Sequence, residues 1–178
     1  MAKGLRIAVP VVALALAAGC ERKARTDQPR SYAKDGIRFQ YPGNWEVTED
    51  VETEGFRHLF VETPGDAILI VQVYAASDAM GLEDFARQFA RTATEKTPFG
   101  KVGASTFGRV EESDGYESLT ERLSISALGQ RVRHTRVYRR RQFGRKVCFL
   151  IAQVADENHD KVAGGFDQIF ASFTCEAP

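Results

Sequence analysis

The chain predicts an α+β domain, and three features of its residue pattern carry that reading. Short runs rich in β-branched and aromatic residues recur from Gly36 onward, separated by turn chemistry. A long segment in the middle and another at the end switch to helical spacing, and residues 67–74 are apolar almost throughout. Such a pattern describes a sheet with helices packed on it.

The elements follow in order. Ile37, Phe39 and Tyr41 alternate with Arg38 and Gln40, and Pro42, Gly43 and Asn44 turn the chain into a second run at 45–48. Residues 56–62 and 67–74 flank the turn Thr63, Pro64, Gly65, Asp66; the second of these, AILIVQVY, reads as a central strand covered on both faces. Helices must then lie over the sheet. Leu82, Phe85, Ala86, Phe89 and Ala93 recur at helical spacing across 81–96, and Pro98 and Gly100 stop that helix. Strands are expected at 102–112, 116–128, 131–142 and 146–155, with hairpin turns at Asp114-Gly115 and Leu128-Gly129-Gln130. Val162, Phe166, Ile169, Phe170 and Phe173 give a C-terminal helix an apolar face, despite the cost of Gly164 and Gly165.

The first nineteen residues read as an export signal. Lys3 and Arg6 precede a twelve-residue apolar run at 7–18, and Leu16, Ala17, Ala18 and Gly19 close it ahead of Cys20. The run falls short of the roughly 18 apolar residues that a spanning helix needs. A cysteine placed directly after small residues is the acceptor of a bacterial lipoprotein, since its thiol forms a thioether to diacylglycerol. Ala17 stands where the lipoprotein box usually has leucine. An acylated Cys20 would hold the domain on a membrane, as each buried methylene contributes about 0.8 kcal/mol. Glu21 in place of an aspartate points to the outer membrane, with the domain facing the periplasm.

Cleavage removes two of 24 basic residues, so 22 remain against 24 acidic ones, a net charge of −2. That balance argues against a nucleic-acid partner. The remainder is one domain by length, residues 36–178, with twelve phenylalanines to supply its core. Residues 21–35, ERKARTDQPRSYAKD, are polar, without apolar periodicity, and read as a tether after the lipidated cysteine, 20–35 in all.

The opening Gly36-Ile37-Arg38-Phe39-Gln40-Tyr41-Pro42-Gly43-Asn44-Trp45, the mid-chain helix and the closing Phe166-Asp167-Gln168-Ile169-Phe170-Ala171-Ser172-Phe173 resemble the PsbP-like domain family in its bacterial DcrB-type lipoprotein form. The resemblance spans nearly all of 35–174. It implies a twisted antiparallel sheet flanked by helices on both faces, an α/β/α sandwich. It also implies a domain that binds partners or assists assembly rather than one that catalyses.

Chemistry-bearing motifs are sparse. Cys148 lies in an apolar run and Cys175 follows the last helix; export to an oxidising compartment makes them a disulfide candidate. His58, His134 and His159 are far apart, and no metal-ligand spacing or Gly-x-Ser-x-Gly element occurs, so neither a metal, a cofactor nor an enzyme is expected. Arg131, Arg133, Arg139 and Arg141 share one side of a strand by period two. They are either a partner-binding strip or a solvated face paired with Glu111, Glu112, Glu117 and Glu121. The functional expectation is a membrane-anchored, noncatalytic envelope lipoprotein that binds a protein or envelope component. Its alternative is an enzyme or small-ligand protein with a pocket between helix and sheet.

Overall fold

The computed structural model describes residues 23–53, 55–65, 67–96, 101–127 and 129–176; the signal at 1–19 and Cys20 lie outside them. Within the described residues the chain forms β1 (Arg30–Lys34), β2 (Ile37–Tyr41), β3 (Glu46–Thr53), β4 (Phe56–Glu62), β5 (Ile68–Ala75), α1 (Leu82–Lys96), β6 (Lys101–Val102), β7 (Thr106–Phe107) and β8 (Glu111–Ser113). It continues with β9 (Tyr116–Ala127), β10 (Gln130–Phe143), β11 (Lys146–Ala155), a 3-10 turn at Asp156–Asn158, α2 (His159–Ser172) and β12 (Thr174–Cys175). The large antiparallel sheet runs β3-β4-β5-β11-β10-β9-β6, with β7 and β8 also on β9, and a small sheet runs β1-β2-β12. After β5 the chain crosses through α1 to the far edge, then walks back until β11 pairs with β5.

Strand β11 shows where the core lies. Its residues alternate between two apolar clusters, as the period of a strand requires. Cys148, Leu150, Ala152 and Val154 join Leu59, Leu69, Val71 and, from α2, Val162, Phe166, Ile169 and Phe170. Ile37, Phe39, Tyr41 and Trp45 complete that cluster. Val147, Phe149 and Ile151 join Ile70, Leu119, Tyr138 and, from α1, Leu82, Phe85 and Ala86. Phe85 stacks on Phe149 at 3.8 Å between ring centroids. Glu83 and Asp84 in the first turn of α1 complement the positive end of the helix dipole.

Helix α2 carries two adjacent glycines, each costing about 1 kcal/mol against alanine in a helix. Gly165 is explained by contact: a Cβ there would lie 2.5 Å from Trp45 Cζ2 and 2.8 Å from Pro42 Cγ. The indole, 1% exposed, sits where a side chain would otherwise stand and meets Phe166 edge-on.

Two expectations are corrected. Residues 30–34, expected within a polar tether, form β1 and pair with β2 from Arg30↔Tyr41 to Lys34↔Ile37. Backbone pairing holds this strand, because only Tyr32 of its residues is partly buried. Its hairpin turns on Asp35 and Gly36, at φ 50° and 85°, and a Cβ at Gly36 would fall 2.1 Å from the Glu176 carbonyl oxygen. The chain ahead of it is pinned too: the Ala24 N–H donates to Lys161 O at 2.8 Å and the Arg25 N–H to Asn44 Oδ1 at 2.8 Å. The single strand expected at 102–112 is broken into β6, β7 and β8, all laid on β9. Gly103 and Gly108 mark the breaks, each bonding its N–H to a β9 carbonyl at 2.8 Å.

Candidate functional site

The register of β9 with β10 decides which side chains share a surface. Arg131 lies opposite Ser126, Arg133 opposite Ser124, Thr135 opposite Arg122, Val137 opposite Thr120 and Arg139 opposite Ser118. Lys101 also lies opposite Ser126, and Glu111 opposite Ser118. One side of this strand pair therefore carries Lys101, Arg122, Arg131, Arg133, Arg139 and Arg141 among hydroxyl groups, with Glu111 as the acid brought in by β8. Arg139 fixes which side this is, because its guanidinium lies 4.3 Å over the Phe170 ring of α2.

The four arginines expected on one side are all there, in two settings. Arg131 and Arg133 are exposed. Arg131 Nε donates to Ser124 Oγ at 3.0 Å. Arg139 and Arg141 are half-buried and lie on rings: Arg139 5.6 Å over Tyr116, Arg141 5.2 Å over Tyr116 and 4.9 Å over Phe143. Such cation–π seating holds the planar head while its charge stays uncompensated. Among the described residues none of the four makes an ion pair. Of the four acids expected to pair with them, two are engaged by other arginines: Glu121 by Arg136 at 2.8 Å and Glu117 by Arg140 at 2.9 Å. Both pairs lie on the opposite side of the strands.

That opposite side holds a site missed in the sequence. Arg136 and Glu121 are 3% and 1% exposed. Arg136 donates from Nη1 to Glu121 Oε2 and from Nε to Gln153 Oε1 at 2.7 Å, beneath the Phe89 ring of α1. The Tyr138 hydroxyl donates to Glu121 Oε2 at 2.6 Å, and burial first of all raises its pKa. A second network joins the two sheets. Arg57 donates to both Asp50 oxygens at 2.7 and 2.8 Å and to Asp35 Oδ2 at 2.7 Å, while Tyr32 and Lys34 also donate to Asp50. The hydrogen bonds from Arg57 hold the Asp50 carboxyl well below the usual carboxylate range. Burial, then the bond to Asp50, pushes the Tyr32 hydroxyl up to about 12. Every charge in both networks has a partner, which marks them as structural.

Cys148 and Cys175 are brought together as two buried thiols, hydrogen-bonded to each other, with no bridge between them. That bond, with burial, pushes the Cys148 thiol far up, and it draws Cys175 down. The histidines stay apart, on β4, β10 and the first turn of α2. Among the described residues no group of three or more His, Cys, Asp or Glu side chains converges as a metal site would require. No helix among them is long and apolar enough to cross a membrane.

Two clefts remain. One of about 860 Å³ opens at the end of the sheet where β3 meets β4, its rim mixing Asp35, Glu52 and Asp78 with Arg57, Arg145 and Lys146. Another, of about 440 Å³, lies between α1 and the sheet and is lined by Phe56, Tyr74, Met80, Phe85 and Phe89 with His58 and Gln72. There the Tyr74 hydroxyl donates to Gln72 Oε1 at 2.8 Å, and burial lowers the His58 pKa.

Among solved structures the chain is similar to cyanobacterial PsbP (CyanoP) from Synechocystis sp. PCC 6803, at 17% identity over 89% of this chain and 95% of that one, with a TM-score of 0.52. The chain thus has an α+β fold resembling PsbP. It also aligns with LpqN of Mycobacterium tuberculosis, a protein involved in cell envelope biogenesis, at 14% identity over 85% of this chain and 91% of that one, with a TM-score of 0.42. No family model matches the chain, and no curated protein does.

Proposed function

We propose that this chain is a lipid-anchored, noncatalytic domain of the bacterial cell envelope, a DcrB-type relative built as a PsbP-like α/β/α sandwich. Its arginine-bearing sheet face binds an anionic envelope component. The observation that carries the reading is the set of six basic side chains on one side of β6, β9 and β10, four of which, the arginines of β10, make no ion pair among the described residues. Uncompensated arginines on a firm sheet offer planar donors to phosphate or carboxylate. Cys20 carries the lipid, placing the domain in the periplasm, on the outer membrane. Cys148 and Cys175 close a disulfide there.

Fractionation tests the anchor: Cys20→Ser leaves the exported domain in the soluble fraction, and a mutant that still pellets with membranes in high salt overturns it. Capture from detergent-solubilised envelopes tests the surface. Arg131→Glu with Arg133→Glu abolishes capture while the protein melts as before; undiminished capture by the folded double variant removes the strip from the binding surface.

A second reading rests on the cleft between α1 and the sheet, whose aromatic walls and His58–Gln72 pair, 3.4 Å apart, suit a small apolar ligand with a polar end. Native mass spectrometry of the purified protein tests it, since a retained ligand lost on Phe89→Ala supports it and an unliganded mass removes its support.

A further inference from the structure

We propose that the anionic component met by this face is the head-group layer of the very membrane that holds the anchor. In that arrangement the N-terminal end of α2 and the overhanging end of the β9–β10 hairpin are turned toward the lipid. This rests on the reading of Cys20 as the lipidated residue.

Chain length supplies the first argument. The described residues start at Lys23, whose carbonyl accepts from Asn44 Nδ2 at 3.1 Å, and the Ala24 N–H is bound to Lys161 O on the first turns of α2. Only Glu21 and Arg22 separate Cys20 from that point. Three peptide steps reach at most about 11 Å, and the polar head-group layer on one side of a bilayer is itself roughly 5–8 Å deep. No spacer remains to lift the domain clear.

The second argument is which end of the domain this brings down. Strand β11 stops at Ala155, opposite His134, and Thr135 Oγ1 donates to Asp156 Oδ1 at 2.8 Å in the turn that enters α2. Residues 130–133 therefore run past the end of β11, paired only with β9, on the end of the domain where Lys23 emerges. This overhang presents exposed Arg131 and Arg133, and its residues 124–133 include no acid. Lys101 sits opposite Ser126 and Arg122 one pair back. The acids at this end lie off the hairpin: Asp156, Glu157 and Asp160 in the turn and the first residues of α2, and Glu46 and Glu62 at the ends of β3 and β4 across the sheet. The charge is complementary to anionic head groups at the hairpin, and basic side chains near such a surface act within a Debye length.

The test uses the mature lipidated protein in vesicles containing phosphatidylglycerol, with a fluorophore on Gln130→Cys at the overhang or on Thr53→Cys at the other end of the sheet. A head-group quencher is expected to dim the first severalfold more than the second. Equal quenching, with the protein still on the vesicles, overturns the orientation and leaves the anchor standing. Release of the protein in high salt overturns both. In a second arm the full chain bearing Cys20→Ser binds the same vesicles weakly, and Arg131→Gln with Arg133→Gln lowers that affinity by roughly tenfold. An unchanged affinity overturns the arginine contact with lipid and returns those residues to another partner.

Discussion

Strand β10 places six arginines along fourteen residues, and its two sides treat them in opposite ways. On the α1 side Arg136 is walled in by Phe89, Tyr138 and Gln153 and neutralised by Glu121. On the α2 side Arg131 and Arg133 stand in solvent, and Arg139 and Arg141 lie on aromatic rings with no carboxylate. The difference is one of cover. A charge sealed from water, as Arg136 is at 3% exposure, must find a counter-charge, whereas one that is only half covered or open can keep its charge toward solvent.

Equal substitutions on the two sides measure that contrast. Arg136→Met is expected to cost about 3–5 kcal/mol in denaturant unfolding, because it leaves Glu121 charged and buried; Arg136→Met with Glu121→Leu recovers most of the loss. A single-variant cost no larger than that of Arg133→Met would erase the contrast.

The thiol pair belongs to the α2 side, where Cys148 lies opposite Arg141. Closing its loop of 28 residues should add about 3–4 kcal/mol in the chain-entropy model, lost on reduction. Alkylation and mass spectrometry of protein purified without reductant should find neither thiol labelled.

Arg57 is the intermediate case, covered by the small sheet rather than a helix. Its partner Asp50 has a lowered folded pKa, so the pair's contribution is complete above the unfolded value of about 3.9 and is lost as pH falls below it. Asp50→Asn should cost about 2 kcal/mol at neutral pH and flatten the acid limb of the stability profile. A variant that keeps the wild-type acid limb would assign that limb to other groups. Smallest is Arg133→Met, expected to change stability by less than about 0.5 kcal/mol in thermal melts.

The long strands and both helices were legible because each buries an apolar stripe with a clear period. β1 was not, since it holds its place by main-chain pairing and shows the core little more than Tyr32. Its turn does leave a signal: Asp35-Gly36 is the same dipeptide as Asp114-Gly115, which joins β8 to β9 in a hairpin. The side of the strip was legible from period two, but its partners were not. Glu121 faces Arg136 only through the β9–β10 register, and neighbouring residues in sequence cannot state that register. Arg122 joins the strip for the same reason, although Ser118, Thr120, Ser124 and Ser126 already marked that side of β9 as polar.

The seat of Trp45 against Gly165 has a use beyond packing. This is the chain's one tryptophan, and its buried indole N–H has no hydrogen-bond partner among the described residues. Its emission should be blue in the folded protein and move red when α2 lifts away and water reaches the ring. The molecule therefore carries its own optical gauge of helix docking, readable without a label and in the presence of lipid.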